Sequence, residues 1–167
     1  MLLRELETKF LFESTRKDLL KLADENFLRM GPRSEEVTGL RLEGVQHDTC
    51  RFSITGSTGK KYTNLVKFHE WDDVLMDDSL STNQAANLLI SSGNISLHCS
   101  CESFLYYGYQ YLLTVMDASV LPENRKPRIK NPHERGICCK HLYRTMKSLP
   151  FLNSTISRAI NIQRGQR

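Results

Sequence analysis

Two short stretches carry residue types whose spacing suits chemistry: Cys99-Ser100-Cys101 and, after 37 intervening residues, Cys139-Lys140-His141. Three thiols and one imidazole in two tight pairs form a Cys₃His set, the donor combination of a tetrahedral structural zinc site. Alternation along an extended strand puts Cys99 and Cys101 on one side, and a bend after the strand serves equally well. Cys139 and His141 fall where a helix is expected to begin, and the free N–H groups there favour thiolate. Four ligands close the coordination shell and leave no position for a reacting water, so the expected ion is one structural Zn2+. Cys138 competes with Cys139 for the third position; the one-residue spacing to His141, repeating that of the first pair, favours Cys139. His98 and His133 are the substitute imidazoles.

The elements that must hold these pairs follow from periodicity. Ile95-Ser96-Leu97-His98 reads as a strand running straight into the first cysteine pair. Leu142, Tyr143, Met146 and Leu149 recur at helical spacing after the second pair, as far as Pro150. From Leu40 the period is two, and Cys50, Phe52 and Ile54 face Tyr62, Asn64, Val66 and Phe68 across a turn at Gly56-Ser57-Thr58-Gly59. That is the pattern of an antiparallel hairpin. Ser81 or Thr82 is placed to cap a helix through Ala85, Leu88 and Leu89 to Gly93. Upstream, Leu2, Leu3, Leu6, Phe10 and Phe12 make residues 1–13 amphipathic. A second helix is expected from about Thr15 to Met30, with Leu19, Leu22, Ala23 and Phe27 on one face, ended by Gly31-Pro32.

Trp71-Asp72-Asp73 and Asp77-Asp78 read as an acidic, solvated connection lacking the ligand order of a calcium loop. The run from Phe104 through Tyr106, Tyr107, Tyr109 and Tyr111 to Leu113 reads as core around the metal rather than as a stacking surface for bases. Three prolines between Pro122 and Pro132 exclude regular structure there. The expected fold is therefore α+β: a small antiparallel β-sheet with packed helices, stapled by the metal. Its divisions are an N-terminal helical arm (1–36), a hairpin region (37–94), a metal module with a long basic insert (95–150), and a C-terminal helix with a basic tail (151–167).

Composition bounds the rest. A chain of 167 residues with 40% hydrophobic and 25% charged residues has the make-up of an ordinary globular protein. No apolar run approaches the roughly 18 residues of a membrane span, so no membrane partner is expected. The first residues have no long apolar core or small-residue cleavage site, which points to synthesis in a cytoplasm. Five cysteines, four of them crowded into two doublets, do not suit a disulfide framework, and Cys50 is expected to pack as a small hydrophobe. The net charge of +4 divides unevenly: residues 122–167 hold 11 Lys/Arg against 2 Asp/Glu, leaving 12 against 17 in residues 1–121. Arg125, Lys126, Arg128, Lys130 and Arg135 are the candidate contacts to nucleic acid or to another partner.

The pattern Cys-x-Cys, variable insert, Cys-x-His resembles the SWIM-type zinc finger module over about residues 95–149. Phe104 after the first pair and the apolar helix after His141 also look like that family, although the insert is longer than in most members. Pro-Glu-Asn-Arg (122–125), Lys-Asn-Pro (130–132) and Cys-Lys-His-Leu (139–142) are similar to small SWIM-like proteins of tailed bacteriophages. The resemblance implies binding to protein or nucleic acid rather than a reaction. The expectation is a non-enzymatic, zinc-stabilised structural protein of a virion, docked on other protein subunits of a large assembly. The alternative is a nucleic-acid-binding accessory protein that contacts DNA through its basic C-terminal third. An enzyme is the least expected reading: the best Cys–His pair is taken up by the metal, and Asp72, Asp73, Asp77 and Asp78 have no basic catalytic partner in the sequence.

Overall fold

The structure, a computed structural model, describes residues 14–24 and 30–166. Four strands, β1 (Thr38–Gln46), β2 (Thr49–Thr55), β3 (Lys61–Phe68) and β4 (Ile95–Cys99), form one antiparallel sheet in the order β1-β2-β3-β4. The helices are α1 (Arg16–Asp24), α2 (Met30–Ser34), α3 (Trp71–Met76), α4 (Thr82–Ser92), α5 (Glu102–Tyr106), α6 (Tyr109–Val115), α7 (Lys140–Ser148) and α8 (Asn153–Arg164). A 3₁₀ turn over Leu149–Leu152 joins the last two. The fold class is α+β, as expected.

Alternation selects the buried face of the sheet. Register pairs Cys50 with Val66, Phe52 with Asn64, Val66 with Leu97 and Asn64 with Cys99, and all of these side chains are buried. Cys50 is packed as a small apolar group, and burial pushes its thiol up to about 12. Helix α7 lies against β3 and β4, α1 packs on α4 and α7, and α4 packs on α8. One main core results, reaching from Leu19 to Ile160, with a small second cluster at Tyr111 and Leu112. Its β4 edge is sealed by the chain after α6, where the Leu97 N–H donates to Ala118 O (2.8 Å) and the Val120 N–H to Leu97 O (3.1 Å).

Several expectations are corrected. Gly31-Pro32 does not end a helix but lies inside α2. Proline is tolerated there because the first N–H groups of a helix have no intrahelical acceptor. The acidic stretch is solvated, as expected, but only Asp77 and Asp78 lie in a connection: Trp71, Val74 and Leu75 are spaced to bury one face of α3, and Asp72 and Asp73 sit exposed in its first turn, where the helix dipole favours carboxylates. In α4 the Ser81 cap forms a full capping box with Gln84. The buried face there is Ala85, Ala86, Leu89 and Ile90, so Leu88 points outward. The C-terminal helix runs to Arg164 and shortens the expected tail. The guanidinium of Arg164 donates to Leu80 O, Val74 O and Asp77 O, satisfying carbonyls at the end of α3 and just beyond it. The expected amphipathic residues 1–13, and Phe27 of the second helix, lie outside the described residues.

Candidate metal centre

Each ligand pair is placed by the end of one element and the start of the next. Cys99 is the last residue of β4, held in register opposite Asn64. The chain then bends, and Cys101 becomes the N-cap of α5. Ser100 fixes the bend from both sides: its N–H donates to Thr63 O (2.9 Å), and its Oγ accepts from the Thr63 N–H (2.9 Å). Of the two ways foreseen for Cys99 and Cys101 to converge, the molecule uses the bend.

Cys139 is the N-cap of α7, and His141 is the second residue of that helix. The register of α7 against the sheet is set by a buried polar link, in which Asn64 Nδ2 donates to Thr145 Oγ1 (2.7 Å) and that hydroxyl donates to His141 O (3.0 Å). Asn64 therefore pairs through its backbone with the strand of Cys99 and reaches through its amide to the turn that carries His141.

The outcome is a cluster. One ligand atom from each of Cys99, Cys101, Cys139 and His141 lies within 4.8 Å of all the others, and all four residues are buried. His141 Nδ1 stands 3.9 Å from Cys99 Sγ. The Cys101 N–H donates to Cys99 Sγ (3.4 Å), a bond that strengthens as the sulfur gains negative charge. A metal–sulfur bond of about 2.3 Å at tetrahedral angles sets sulfurs about 3.8 Å apart, so a small contraction closes this cluster on one ion. None of the five cysteines is in a disulfide. Cys138 faces away into the core, where burial raises its thiol pKa; the third sulfur is that of Cys139. His98 lies outside the cluster, edge-on to Phe104 at 5.6 Å, and His133 is exposed.

The electrostatics suit a cation. Cys101 accepts hydrogen bonds from the Cys139 and Cys99 thiols and faces the His141 ring, which holds its pKa far below the ordinary thiol value. Burial pushes the Cys99 and Cys139 thiols up, and the neighbouring Cys101 sulfur adds to the shift. Three buried sulfurs cannot all ionise without a counter-charge, which a divalent ion could supply.

The remaining sequence candidates are not at this centre. Arg125 is paired with Glu123 (2.6 Å) and Lys126 with Glu134 (3.7 Å). Arg128 and Lys130 are exposed and make no ion pair among the described residues. Arg135 is exposed, and its backbone is closed against the Asn131 side chain in both directions. Sequence reasoning missed the hairpin turn that lies against His141. The Tyr62 ring is 4.6 Å from the imidazole, and Lys140 Nζ reaches Ser57 Oγ (2.9 Å) and Glu36 (2.7 Å). The turn signal was plain in the sequence; that the turn meets the cluster depends on long-range packing that no local pattern records.

Comparison with protein-family models, curated proteins and solved structures finds no match to this chain. The functional reading therefore rests on the cluster itself.

Proposed function

We propose that the four residues hold one structural zinc ion, and that the chain is a non-enzymatic interaction protein whose metal fixes a rigid docking surface. The observation that carries this reading is the buried convergence of three thiols and an imidazole within 4.8 Å. Soft thiolates in a tetrahedral set favour zinc over magnesium or calcium. Four protein ligands fill that geometry, which favours a staple over a Lewis acid. When bound, the ion would offset two of the three thiolate charges and tie the end of β4 to the start of α7. The chain's own residues orient the ligands and keep water from them.

The docking surface proposed is the insert between the ligand pairs, and the setting proposed is a virion in which this chain contacts other structural subunits. Two features support a preformed surface. Pro127 sits where a side chain at Gly108 would be: a Cβ there would lie 2.3 Å from Pro127 Cγ, and φ of +71° also suits glycine. Asn131 Nδ2 donates to Tyr107 O (3.0 Å) and Arg135 O (2.8 Å). Between these anchors Arg128, Ile129 and Lys130 project outward, with Ile129 89% exposed.

A second reading, contact with nucleic acid, is favoured by Arg128 and Lys130, which make no ion pair among the described residues, and by Tyr106, which is 62% exposed and adjoins the Tyr107 carbonyl that Asn131 of the insert meets. Metal analysis of the purified protein tests the main proposal: one zinc per chain is expected, lost together in Cys99→Ser and His141→Ala. Titration of single-stranded and duplex DNA at low salt separates the readings. Absence of binding there eliminates the nucleic-acid reading, whereas binding that falls steeply with salt favours it.

A further inference from the structure

The cluster has a fifth participant that is not a ligand. A Cβ built on Gly56 would lie 2.9 Å from Tyr62 Cε2 and 3.1 Å from His141 Nε2. The first distance is shorter than side chains tolerate, and the two rings pack on each other at 4.6 Å, so a shift of one bears on the other. His141 Nε2 is buried and has no hydrogen-bond partner among the described residues. Metal-bound histidines ordinarily fix the ring by donating their second N–H to a carboxylate, carbonyl or water. Among the described residues no side chain or carbonyl meets this nitrogen; Gly56 and Tyr62 pack against it and its ring instead.

We propose that the β2–β3 turn is the positioning element of the metal centre: the bare Cα of Gly56 and the ring of Tyr62 hold the His141 imidazole with Nδ1 toward the sulfurs. This inference rests on the metal-binding reading. The turn is itself anchored around the cluster at two points. Lys140, lying between two ligands, reaches Ser57, and Lys60 pairs with Glu102 beside Cys101 at 2.9 Å. Within the turn the Gly56 N–H donates to Lys60 O (2.8 Å), and the Gly59 N–H donates to Gly56 O (2.9 Å). A methyl group at position 56 therefore presses on the Tyr62 ring and, directly and through it, on the imidazole.

The same turn supplies the control. Gly59 has φ of +81°, so Gly59→Ala strains the backbone, yet its Cβ would meet nothing within 4 Å. The experiment loads wild type, Gly56→Ala, Gly59→Ala and Tyr62→Leu with Co²⁺, then displaces it with Zn²⁺. The readouts are the thiolate charge-transfer band, the tetrahedral d–d bands and the rate of metal loss to a chelator. Gly56→Ala is expected to keep the thiolate band, shift the d–d bands and bind about ten- to a hundredfold more weakly, as loss of an outer-shell contact does. Gly59→Ala is expected to lose thermal stability and keep the wild-type spectrum. Tyr62→Leu decides the matter if Gly56→Ala does not fold, since it removes the ring without adding an atom, and its d–d bands are expected to move. Identical spectra and affinities in wild type, Gly56→Ala and Tyr62→Leu would overturn the inference alone. A wild-type protein that takes up no Co²⁺ would overturn the metal reading and this inference with it.

Discussion

Adjacent thiols with opposite duties make the sharpest test at the scale of single residues. Cys138 and Cys139 are both buried, but only the Cys139 sulfur lies within reach of Cys99, Cys101 and His141. Cys139→Ala is therefore expected to abolish metal uptake, while Cys138→Ala retains one ion per chain and loses about 1 kcal/mol of packing. Metal analysis with thermal melting checks both. The choice of Cys139 was legible in the sequence, since its spacing to His141 repeats that of the first pair. The protonation states were not legible, because they depend on how the sulfurs face one another. Its neighbours lower the pKa of the Cys101 thiol, while burial raises those of Cys99 and Cys139. A group with a raised pKa must give up its proton before it can ligate, so metal affinity is expected to rise with pH. With two such thiols among the ligands, log affinity is expected to climb steadily with pH across the neutral range. Competition with a chromophoric chelator at several pH values measures it, and a flat profile would contradict the assignment.

At the scale of elements, β3 and α7 are coupled by a contact that alternation alone misreads. Asn64 occupies an inward position between Tyr62 and Val66, where an apolar residue is the usual occupant, and it is fully buried. Its amide donates to Thr145 Oγ1, which donates in turn to the carbonyl of His141. Thr145→Val keeps the shape and removes the acceptor, leaving a buried amide without its partner. A loss of about 1–3 kcal/mol in denaturant unfolding is expected, with faster metal release because the helix turn carrying His141 is no longer pinned. The strands, the capped helix α4 and the start of α7 were legible because each has a strong local signal: alternation, a Ser81 cap, or an apolar stripe. Helix α3 was not. Its four acidic neighbours outweighed Trp71, Val74 and Leu75, whose spacing becomes meaningful only once the core beneath them exists. The face of α4 was misjudged at Leu88 for a similar reason: the helix buries Ala85 and Ala86 with Leu89 and Ile90 and packs on α8, leaving Leu88 exposed.

At the scale of the whole molecule, charge is distributed differently from its distribution along the chain. Several of the basic residues that give the C-terminal third its excess are used inside the fold: Arg125 and Lys126 face glutamates, Lys140 faces Glu36, and Arg164 satisfies backbone carbonyls. What projects from the anchored insert without an ion pair among the described residues is the pair Arg128 and Lys130 around the exposed Ile129. A surface feature of this kind contributes little to stability, because exposed charges are well solvated and an exposed isoleucine buries nothing. The double variant Arg128→Glu, Lys130→Glu is therefore expected to melt within about 0.5 kcal/mol of wild type and to retain its metal. Its charge change of −4 at one site should nevertheless abolish any association that depends on an anionic partner. Ile129→Ala distinguishes the partner's chemistry on the same platform. A phosphate backbone reads only the cations, so DNA binding should survive Ile129→Ala and vanish in the charge reversal. A protein partner with an apolar pocket ringed by carboxylates should lose affinity in both variants, since a small buried anchor carries much of such an interface. Measuring both variants against DNA and against candidate subunits assigns the insert to one class of partner, while an unchanged metal content confirms that the scaffold beneath it is intact.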